Sequence, residues 1–396
     1  MKKKLCILLK SLPTGGVEKM MLNLAEGVAE RNYQVEIVLF ECTGSHIASI
    51  PESVNLLGLM PEGKKRGVRK LFAVAKAFRQ YVRKNRPDVV ISAKEQANLV
   101  NVLFRLLCRN SYRSVITRHV PLDGGLVGTD AKPFVIWLYR HILWRADRIV
   151  AVSEGIAGEI RSMIPAHAAD HVSVICNPVI DSSVFEKASQ TLDEQWLEDK
   201  KVPLMVASGR LSHQKGFDIL LEAVSILREK MVVKLLILGE GEMRERLMDD
   251  ISRLSLEEDV RLVGFKVNPY PYYKNADVFV MSSRWEGQPL ALIEALAMGT
   301  RVVSTDCRTG PREILQGGRL GVLVPSEDPR ALAEGIEAAL RNPANKNLLN
   351  MHSETHSPQL AAESFNETEH NIQQYTIPAA SAEYDKLFCR LLGVSD

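Results

Sequence analysis

The sequence predicts an α/β protein made of two successive doubly wound parallel-sheet domains. Short apolar runs alternate with longer amphipathic stretches, a pattern typical of strands separated by helices. The alternation runs to about residue 179 and restarts near residue 203, after a polar segment. With 396 residues the chain is too long for one ordinary core, and its length suits two domains of similar size.

Each series of apolar runs predicts its own set of elements. The first predicts strands over residues 5–9, 35–40, 89–92, 114–117, 148–152 and 172–175, with helices over residues 17–30, 70–84 and 98–107. The second predicts strands over residues 203–208, 233–238, 260–263, 278–281 and 300–304, with helices over residues 216–228, 290–298 and 332–340 and one ending at Leu254. An interdomain linker is expected over residues 180–201. Residues 342–376 predict polar surface helices, and Pro378 precedes a final amphipathic helix through Leu392.

Composition excludes a collagen, a disordered tail protein and a coiled coil. Hydrophobic residues make up 46% of the chain and charged residues 25%, which are ordinary values for a globular protein. No apolar stretch approaches the ~20 residues of a membrane-spanning helix, and the apolar run before Lys10 is too short for a signal peptide. The six cysteines show no paired spacing. We therefore expect neither a disulfide framework nor a zinc site. The cysteine pattern fits a protein of the reducing cytoplasm.

Charge is distributed unevenly between the two halves. Residues 1–180 carry 26 lysines and arginines against 15 acidic residues, whereas residues 181–396 carry 24 against 33. Within residues 64–86 there are ten basic residues and no acidic one. Such asymmetry indicates that the two domains have different partners.

Residues 64–86 also predict an amphipathic helix, because five apolar side chains recur at helical spacing. These are Leu71, Val74, Ala75, Phe78 and Val82. A basic amphipathic helix suits an anionic membrane surface or an anionic, lipid-linked acceptor. The alternative is that the apolar stripe packs on the sheet and the charges are only solvated. Nucleic acid is disfavoured as a partner, because no recognition motif accompanies the charge.

Four loops that follow predicted strands are the candidate ligand-binding segments, since ligands bind beyond the carboxyl ends of parallel strands. The turn Gly15-Gly16 precedes a helix, where backbone N–H groups can approach an anion. A later loop carries Arg210 and Lys215, a pair that suits a diphosphate. The alternative for Gly15-Gly16 is an ordinary strand-to-helix turn. The alternative for Arg210 and Lys215 is that both charges are only solvated.

The other two loops carry acidic residues. Glu286 lies on a loop, and Glu294 lies in an otherwise apolar helix that begins after Pro289. A buried carboxylate there needs hydrogen bonds, which vicinal ribose hydroxyls could donate; the alternative is that Glu294 points to water. Asp306 and Arg308 belong to the fourth loop and are equally consistent with a polar turn.

Taken together, these loops resemble those of glycosyltransferase family 4. The features that match in order and separation are Gly15-Gly16, Arg210 with Lys215-Gly216, the Glu286 and Glu294 pair, and the turn Gly310-Pro311-Arg312-Glu313. The resemblance covers residues 4–342 and is strongest over residues 203–325. It implies the GT-B fold, in which two Rossmann-like doubly wound domains face a cleft and a C-terminal helix crosses back to the N-terminal domain.

The resemblance also implies roles for residues that would bind the donor. Arg210 and Lys215 would neutralise the donor diphosphate, which is the leaving group. Glu294 would hold the ribose hydroxyls, and Glu286 would face the sugar ring. The backbone of four residues after Glu286 would contact the sugar and the phosphates. These residues are Gly287, Gln288, Pro289 and Leu290.

Three further contacts are implied elsewhere in the chain. The turn Gly15-Gly16 would close onto the diphosphate from the other domain. His119, which follows a predicted strand, matches the family's first-domain histidine near the sugar; the alternative is an ordinary loop histidine. The family's base-contacting loop is expected over residues 264–267, which include Phe265, through backbone contacts.

By resemblance, the expected division of the chain is an acceptor-side domain over residues 1–180, a nucleotide-sugar domain over residues 181–377 and a crossover helix over residues 378–396.

The reaction that the resemblance implies moves a hexose or N-acetylhexosamine, with retention of configuration, from a nucleotide diphosphate sugar to a glycan acceptor. A UDP-sugar donor and a lipid-linked or cell-envelope acceptor are favoured. No cofactor or metal is expected, because the Arg–Lys pair takes the place of a cation. A cytoplasmic location, peripheral on the inner membrane, is expected.

Alternative functions differ in what they require. A nucleotide-sugar epimerase shares the fold and the diphosphate site, but the paired glutamates argue against it. A transferase acting on soluble small molecules would need the same donor site. A Rossmann dehydrogenase is excluded, because Gly239-Glu240-Gly241 lacks the third glycine of its fingerprint. An inactive binding module would not need every expected functional position to be occupied. The sugar, the acceptor and the oligomeric state stay open.

Overall fold

The computed structural model describes residues 2–60, 67–107, 111–121, 132–192, 202–341 and 372–394. The chain divides into two compact units. The first combines Met1–Val179 with Thr376–Asp396, and the second is Ile180–Tyr375. Both units are doubly wound α/β domains, so the predicted fold class is confirmed.

The first unit is built on a seven-stranded parallel sheet. Its strands are β1 (Lys3–Leu9), β2 (Tyr33–Glu41), β3 (Asn55–Met60), β4 (Val89–Ala93), β5 (Arg113–Arg118), β6 (Arg148–Ala151) and β7 (Val172–Val174). They lie in the order β3-β2-β1-β4-β5-β6-β7. The helices are α1 (Gly16–Ala29), α2 (Gly67–Asn85), α3 (Glu95–Leu107), α4 (Lys132–His141) and α5 (Glu154–Met163), to which a C-terminal helix is added.

Strand β1 shows why its residues 5–9 are apolar without interruption. Leu5 and Ile7 pack in a core cluster with residues of α1, whereas Cys6 and Leu8 pack in a second cluster with residues of α2 and α3. Successive side chains of a strand point to opposite faces. A central parallel strand therefore has both faces covered and needs apolar residues at every position.

The C-terminal helix (Ile377–Leu392) completes the first unit. Tyr384, Leu387 and Phe388 share a core cluster with β1 and α1, and the Tyr33 hydroxyl donates a hydrogen bond of 2.8 Å to Asp385. Gly27 of α1 faces this helix so closely that a Cβ atom there would lie 2.1 Å from the Ser381 hydroxyl oxygen. The predicted crossover helix therefore contributes to the core of the first unit.

The second unit contains a six-stranded parallel sheet in the order β10-β9-β8-β11-β12-β13. Its strands are β8 (Leu204–Ser208), β9 (Lys234–Leu238), β10 (Val260–Gly264), β11 (Val278–Met281), β12 (Arg301–Thr305) and β13 (Val322–Val324). Its helices are α6 (Val184–Lys187), α7 (Phe217–Arg228), α8 (Arg244–Arg253), α9 (Tyr270–Asn275), α10 (Leu290–Ala297), α11 (Pro311–Ile314) and α12 (Pro329–Arg341), so the C-terminal helix of the first unit is α13.

The predicted linker is wrong over residues 180–192. Val184 is fully buried on α6, and the side-chain amide of Asn268 donates to the carbonyl oxygen of Lys187 over 2.8 Å. The backbone N–H of Ile180 donates to Tyr375. This polar segment is therefore part of the second unit, whose two ends meet there. Residues 193–201 lie outside the described part of the chain, as do residues 342–371 of the predicted surface helices.

Several short elements were not predicted. Strand β3 is an edge strand whose residues are all exposed or half-buried, so its apolar pattern is weak. Strand β13 has only three residues, and α9 has six, beginning beside prolines. Short edge elements give too few residues for a periodic signal. In the described ranges, no helix combines the length and the apolar character needed to cross a membrane.

Candidate active site

In the second unit, the predicted binding residues other than Phe265 lie at the topological switch point of the sheet. Strand order reverses between β8 and β11, since β9 and β10 lie on one side of β8 and β12 and β13 on the other side of β11. The crevice at such a point is where open α/β sheets bind ligands. The loop after β8 carries Arg210 and Lys215, and the loop after β11 carries Glu286.

Lys215 and Glu286 form an ion pair across these two loops. The Lys215 ammonium lies 2.6 Å from Oε1 of Glu286, and their side chains are 19% and 7% exposed. The Ser283 hydroxyl donates to the same carboxylate over 2.7 Å. A buried carboxylate is tolerated only with such partners. The structure thus brings together two residues that are 71 positions apart in the sequence.

The fourth predicted loop supports the backbone of Glu286. The hydroxyl of buried Thr309 donates to the carbonyl oxygen of Glu286. Gly310 has a φ of +92°, and a Cβ atom there would lie 2.8 Å from the carbonyl oxygen of Gly287. Asp306 pairs with Arg312 across the turn, as expected of a polar turn. This loop therefore helps to fix the backbone position of Glu286.

Glu294 does not point to water. Only 5% of it is exposed, and the Tyr270 hydroxyl donates to its Oε1 over 3.3 Å. Burial and the charge of Glu294 raise the pKa of Tyr270, so the phenol stays a donor at neutral pH. A buried carboxylate with several lone pairs can accept further hydrogen bonds from hydroxyl groups of a ligand.

Two groups at the switch point suit an anion. The guanidinium of Arg210 is exposed and has no ion pair or side-chain hydrogen bond to the residues that the structure describes. Helix α10 begins after Pro289 with no side-chain cap, so its first-turn N–H groups and its dipole favour a negative charge. Gly287, Gln288 and Pro289 before it are buried, and Leu290 is half-buried.

Two residues near this site have limited roles. Burial and nearby Glu286 raise the pKa of the Cys307 thiol to about 12, so it is not a nucleophile at neutral pH. Phe265 follows edge strand β10 and is 56% exposed, and no hydrogen bond or ring contact joins it to the ion pair within the described residues. Its place in a base-contacting loop stays a prediction. No cluster of three or more acidic, histidine or cysteine side chains in the described ranges could hold a metal ion.

The Gly15-Gly16 turn belongs to the first unit and lies at its switch point, between β1 and β4. Gly15 caps α1, and a Cβ atom there would lie 2.5 Å from Oε2 of Glu18. Glu18 is 4% exposed and forms an ion pair with Lys94, which directly follows β4. The helix N-terminus therefore has a carboxylate of its own nearby. The role of Gly16 toward a diphosphate stays a prediction.

His119 is held by hydrogen bonds in the first unit. Its Nε2 lies 2.9 Å from the Thr117 hydroxyl oxygen, and its Nδ1 lies 3.1 Å from Oδ1 of Asn177. Burial lowers the pKa of His119 to about 4, although the contact with Asn177 opposes this. The imidazole is therefore neutral at pH 7 and cannot act as a cation there. Its role near the sugar stays a prediction.

The basic segment forms α2, and the described residues of its apolar stripe pack in the core; the side chain of Leu71 lies outside the described residues. Val74, Phe78 and Val82 are buried in a core cluster, as the alternative interpretation expected. Its exposed side chains in the described part are basic residues, Gln80 and Phe72, which is 74% exposed. Residues 64–66 lie outside the described ranges.

Sequence reasoning missed the residues that support the predicted ones. Ser283 and Thr309 contact Glu286, Tyr270 contacts Glu294, and Gln214 donates to the carbonyl oxygen of Trp285 over 2.9 Å. Three of these four lie within the predicted loops, so their position after a strand was an available signal. Tyr270 had no such signal, because α9 was not predicted.

Comparison with known proteins identifies the family. A profile described as Glycosyltransferase Family 4 matches residues 14–182, and a profile described as Glycosyl transferases group 1 matches residues 188–355. Together they match most of the chain. The chain belongs to glycosyltransferase family 4.

Individual relatives are similar to this chain over different shares of its length. An uncharacterized glycosyltransferase of Methanocaldococcus jannaschii is 30% identical over 63% of this chain and 62% of its own length, which is less than two thirds. The N-acetylgalactosamine-N,N'-diacetylbacillosaminyl-diphospho-undecaprenol 4-alpha-N-acetylgalactosaminyltransferase of Campylobacter jejuni is 26% identical over 86% of this chain and 90% of its own length.

A solved structure shows the same fold. The Anabaena protein HepE, crystallised with UDP and glucose, is 19% identical, and the superposition covers 98% of this chain and 100% of HepE with a TM-score of 0.76. The GT-B fold expected of a family 4 chain is thereby confirmed.

Proposed function

We propose that this family 4 chain is a retaining, metal-independent glycosyltransferase that moves a hexose or N-acetylhexosamine from a nucleotide diphosphate sugar to a glycan acceptor. The single observation that carries the proposal is the arrangement at the switch point of the second unit. Two cationic side chains, an uncapped helix N-terminus and two buried carboxylates lie on the loops and helix beside β8 and β11.

Each group suits one part of such a donor. Arg210 offers a planar guanidinium, and Lys215 a point charge, to the oxygens of a diphosphate. The N-terminus of α10 adds its dipole. Glu294 would accept hydrogen bonds from the two ribose hydroxyls. It already accepts one from the Tyr270 hydroxyl. Glu286 holds the Lys215 ammonium until the diphosphate shares it.

The proposed step breaks the bond between the anomeric carbon and the diphosphate oxygen, and the nucleoside diphosphate leaves with the electron pair. The acceptor hydroxyl oxygen bonds to the anomeric carbon on the same face, and its proton passes to the departing phosphate oxygen. Positive charge develops on the sugar and negative charge on the diphosphate. The two cationic side chains therefore stabilise the transition state without a metal ion.

A UDP-sugar is the proposed donor, and a lipid-linked or cell-envelope glycan is the proposed acceptor. HepE, which shares the fold, was crystallised with UDP and glucose. The name of the Campylobacter jejuni relative describes transfer to a sugar carried on diphospho-undecaprenol. Such an acceptor is anionic, and residues 1–180 have an excess of basic side chains.

Glu294→Gln tests the donor site directly. The substitution keeps the shape of the side chain but removes its charge, so we expect UDP binding to weaken by roughly ten- to a hundredfold, as for other hydrogen bonds to a charged group. Titration calorimetry with UDP measures the effect. Glu334→Gln is the matched control, because Glu334 is an exposed carboxylate on α12. Equal UDP affinity in wild type and Glu294→Gln would remove this site assignment.

Incubation of the wild-type protein with donor alone distinguishes a transferase from an epimerase. Wild-type protein is incubated with each of several UDP-sugars without acceptor, and the products are separated. Slow release of UDP and free sugar is the result expected of a transferase. A new epimer of the UDP-sugar would instead identify an isomerase.

Attachment to the cytoplasmic face of the inner membrane is the proposed location, through the exposed face of α2. Lys76, Arg79 and Arg83 are exposed there beside Phe72. Because Val74, Phe78 and Val82 of the apolar stripe are buried, the attraction would be mainly electrostatic and sensitive to salt.

Co-sedimentation with liposomes containing phosphatidylglycerol measures this attraction. Replacing Lys76, Arg79 and Arg83 by glutamine is expected to weaken binding by about 3 kcal/mol, since each cation near an anionic surface contributes about 1 kcal/mol. The control replaces three exposed arginines of the second unit, which are Arg246, Arg253 and Arg319. Equal losses in both triple variants, or binding that ignores salt, would contradict attachment through α2.

A further inference from the structure

The loop after β11 is joined to the loop after β8 by hydrogen bonds that involve Arg284. The backbone N–H of Arg284 donates to the carbonyl oxygen of Gln214 over 2.8 Å, and its Nη1 donates to the carbonyl oxygen of His213 over 2.8 Å. In the opposite direction, the Gln214 side chain donates to the carbonyl oxygen of Trp285. The short 3-10 turn His213–Lys215 is thus held against the neighbouring loop.

Arg284 is itself fixed by a bidentate ion pair. Nη1 and Nη2 lie 2.9 Å from the two carboxylate oxygens of Asp218 in the first turn of α7, and the Arg284 side chain is 11% exposed. Burial acts to raise the pKa of Asp218, but the hydrogen bonds from Arg284 outweigh it and leave that pKa below its ordinary value. The two charges therefore form a rigid unit at the start of α7.

The backbone of Lys215 has little freedom between these contacts. Its N–H donates to the carbonyl oxygen of Ser212 over 3.0 Å, and its carbonyl oxygen accepts from the Ser282 hydroxyl over 2.9 Å. Gly216 follows with a φ of +60°, and a Cβ atom there would lie 2.1 Å from the carbonyl oxygen of Ser282. The position of the Lys215 ammonium is consequently set by the turn from which its side chain extends.

We propose that Arg284 is a positioning residue, which fixes the turn His213–Lys215 and thereby places the Lys215 ammonium for the leaving diphosphate. The inference rests on the proposed function of Lys215. Arg284 forms no ion pair with Glu286; its guanidinium binds Asp218, Glu327 and the turn. A lysine could not replace it, because only the planar guanidinium fork donates to both Asp218 oxygens and to His213.

Hydrogen exchange tests the structural part without any ligand. In Arg284→Gln the amides of residues 213–216 are expected to exchange at least tenfold faster than in wild type, whereas the core strands of the second unit keep their rates. Glu327→Ala is the matched control, since it removes the other carboxylate partner of Arg284, which is 64% exposed and has no hydrogen bond or ion pair with residues 213–215 among the described residues. Unchanged exchange at residues 213–216 in Arg284→Gln would overturn the inference.

A double-mutant cycle tests the catalytic part. Hydrolysis is measured with the UDP-sugar that wild type cleaves fastest, and Arg284→Gln is expected to lower kcat by roughly ten- to a hundredfold. The same substitution should have no further effect on kcat in the Lys215→Ala background, because Arg284 acts through Lys215. Independent, multiplicative losses would show that Arg284 acts otherwise. Arg284→Lys should not restore the rate, and Glu327→Ala should retain it.

The two arms separate failure of the inference from failure of the proposed function. If wild type bound no UDP and cleaved no UDP-sugar, the proposed function would be wrong, while hydrogen exchange would still decide whether Arg284 fixes the turn. If wild type is active and the losses in kcat from the two substitutions multiply, the proposed function stands and the positioning role is rejected.

Discussion

Replacing Lys215 by methionine is expected to lower kcat for glycosyl transfer by roughly a hundred- to a thousandfold, the range typical of losing one preorganised group that stabilises developing charge. The ammonium would neutralise the leaving diphosphate, and methionine fills a similar volume without charge. The measurement is transfer or donor hydrolysis under saturating UDP-sugar, with UDP affinity from calorimetry. A kcat that stays within a factor of two would remove Lys215 from the proposed mechanism.

The same substitution should also reduce stability, since it leaves Glu286 buried without its cation. Breaking a buried pair from one side costs about 3 kcal/mol. Adding Glu286→Gln removes the remaining charge, so the double variant should recover most of the free energy of unfolding but none of the activity. Denaturant unfolding and kinetics on the same samples separate the two roles of Lys215. Recovery of activity in the double variant would contradict its role at the diphosphate.

Gly27→Ala is expected to destabilise the protein by about 2 kcal/mol, within the range for overpacking a tight contact. The new Cβ atom would lie 2.1 Å from the Ser381 hydroxyl oxygen and 2.7 Å from Cγ2 of Ile377, so α1 and α13 must shift. Urea unfolding monitored on the purified full chain measures the change. No loss of stability would mean that α13 does not pack on α1 as described.

Gly158→Ala supplies the matched control. Gly158 also lies inside a helix, α5, but a Cβ atom there meets nothing within 4 Å. Alanine favours a helix over glycine by about 0.8–1.0 kcal/mol, so the same substitution should stabilise at this position. Ser381→Ala combined with Gly27→Ala should recover part of the loss, because the Ser381 hydroxyl has no hydrogen-bond partner among the described residues.

The sequence predicted the central strands well because their signal is strong. Strand β1 and strand β9 lie inside their sheets, and after their leading lysines all of their residues are apolar. Strand β3 was missed because an edge strand is partly exposed and its sequence includes Gly58. Residues 180–192 look like a linker because they are polar, yet a few contacts from Val184 and Asn268 are enough to fix them.

The site could be predicted only as far as local motifs reach. Arg210, Lys215 and Glu286 were found because each follows a strand and matches a family motif. The pairing of Lys215 with Glu286 is a long-range contact that no local pattern encodes. The burial of Glu294 was inferred from its apolar neighbours, but its partner Tyr270 lies in a short helix that follows an edge strand. Support residues such as Thr309 carry ordinary side chains, so only the three-dimensional structure assigns them a role.

The packing of α13 on α1 has a consequence for the order in which the chain can fold during its synthesis. The second unit is continuous in sequence, from Ile180 to Tyr375, whereas the first unit takes core residues from both sides of it. Tyr384 and Phe388 leave the ribosome after every strand of both sheets. The half of the protein that is translated first is therefore the half whose core closes last, with the face of α1 that contains Gly27 uncovered until then.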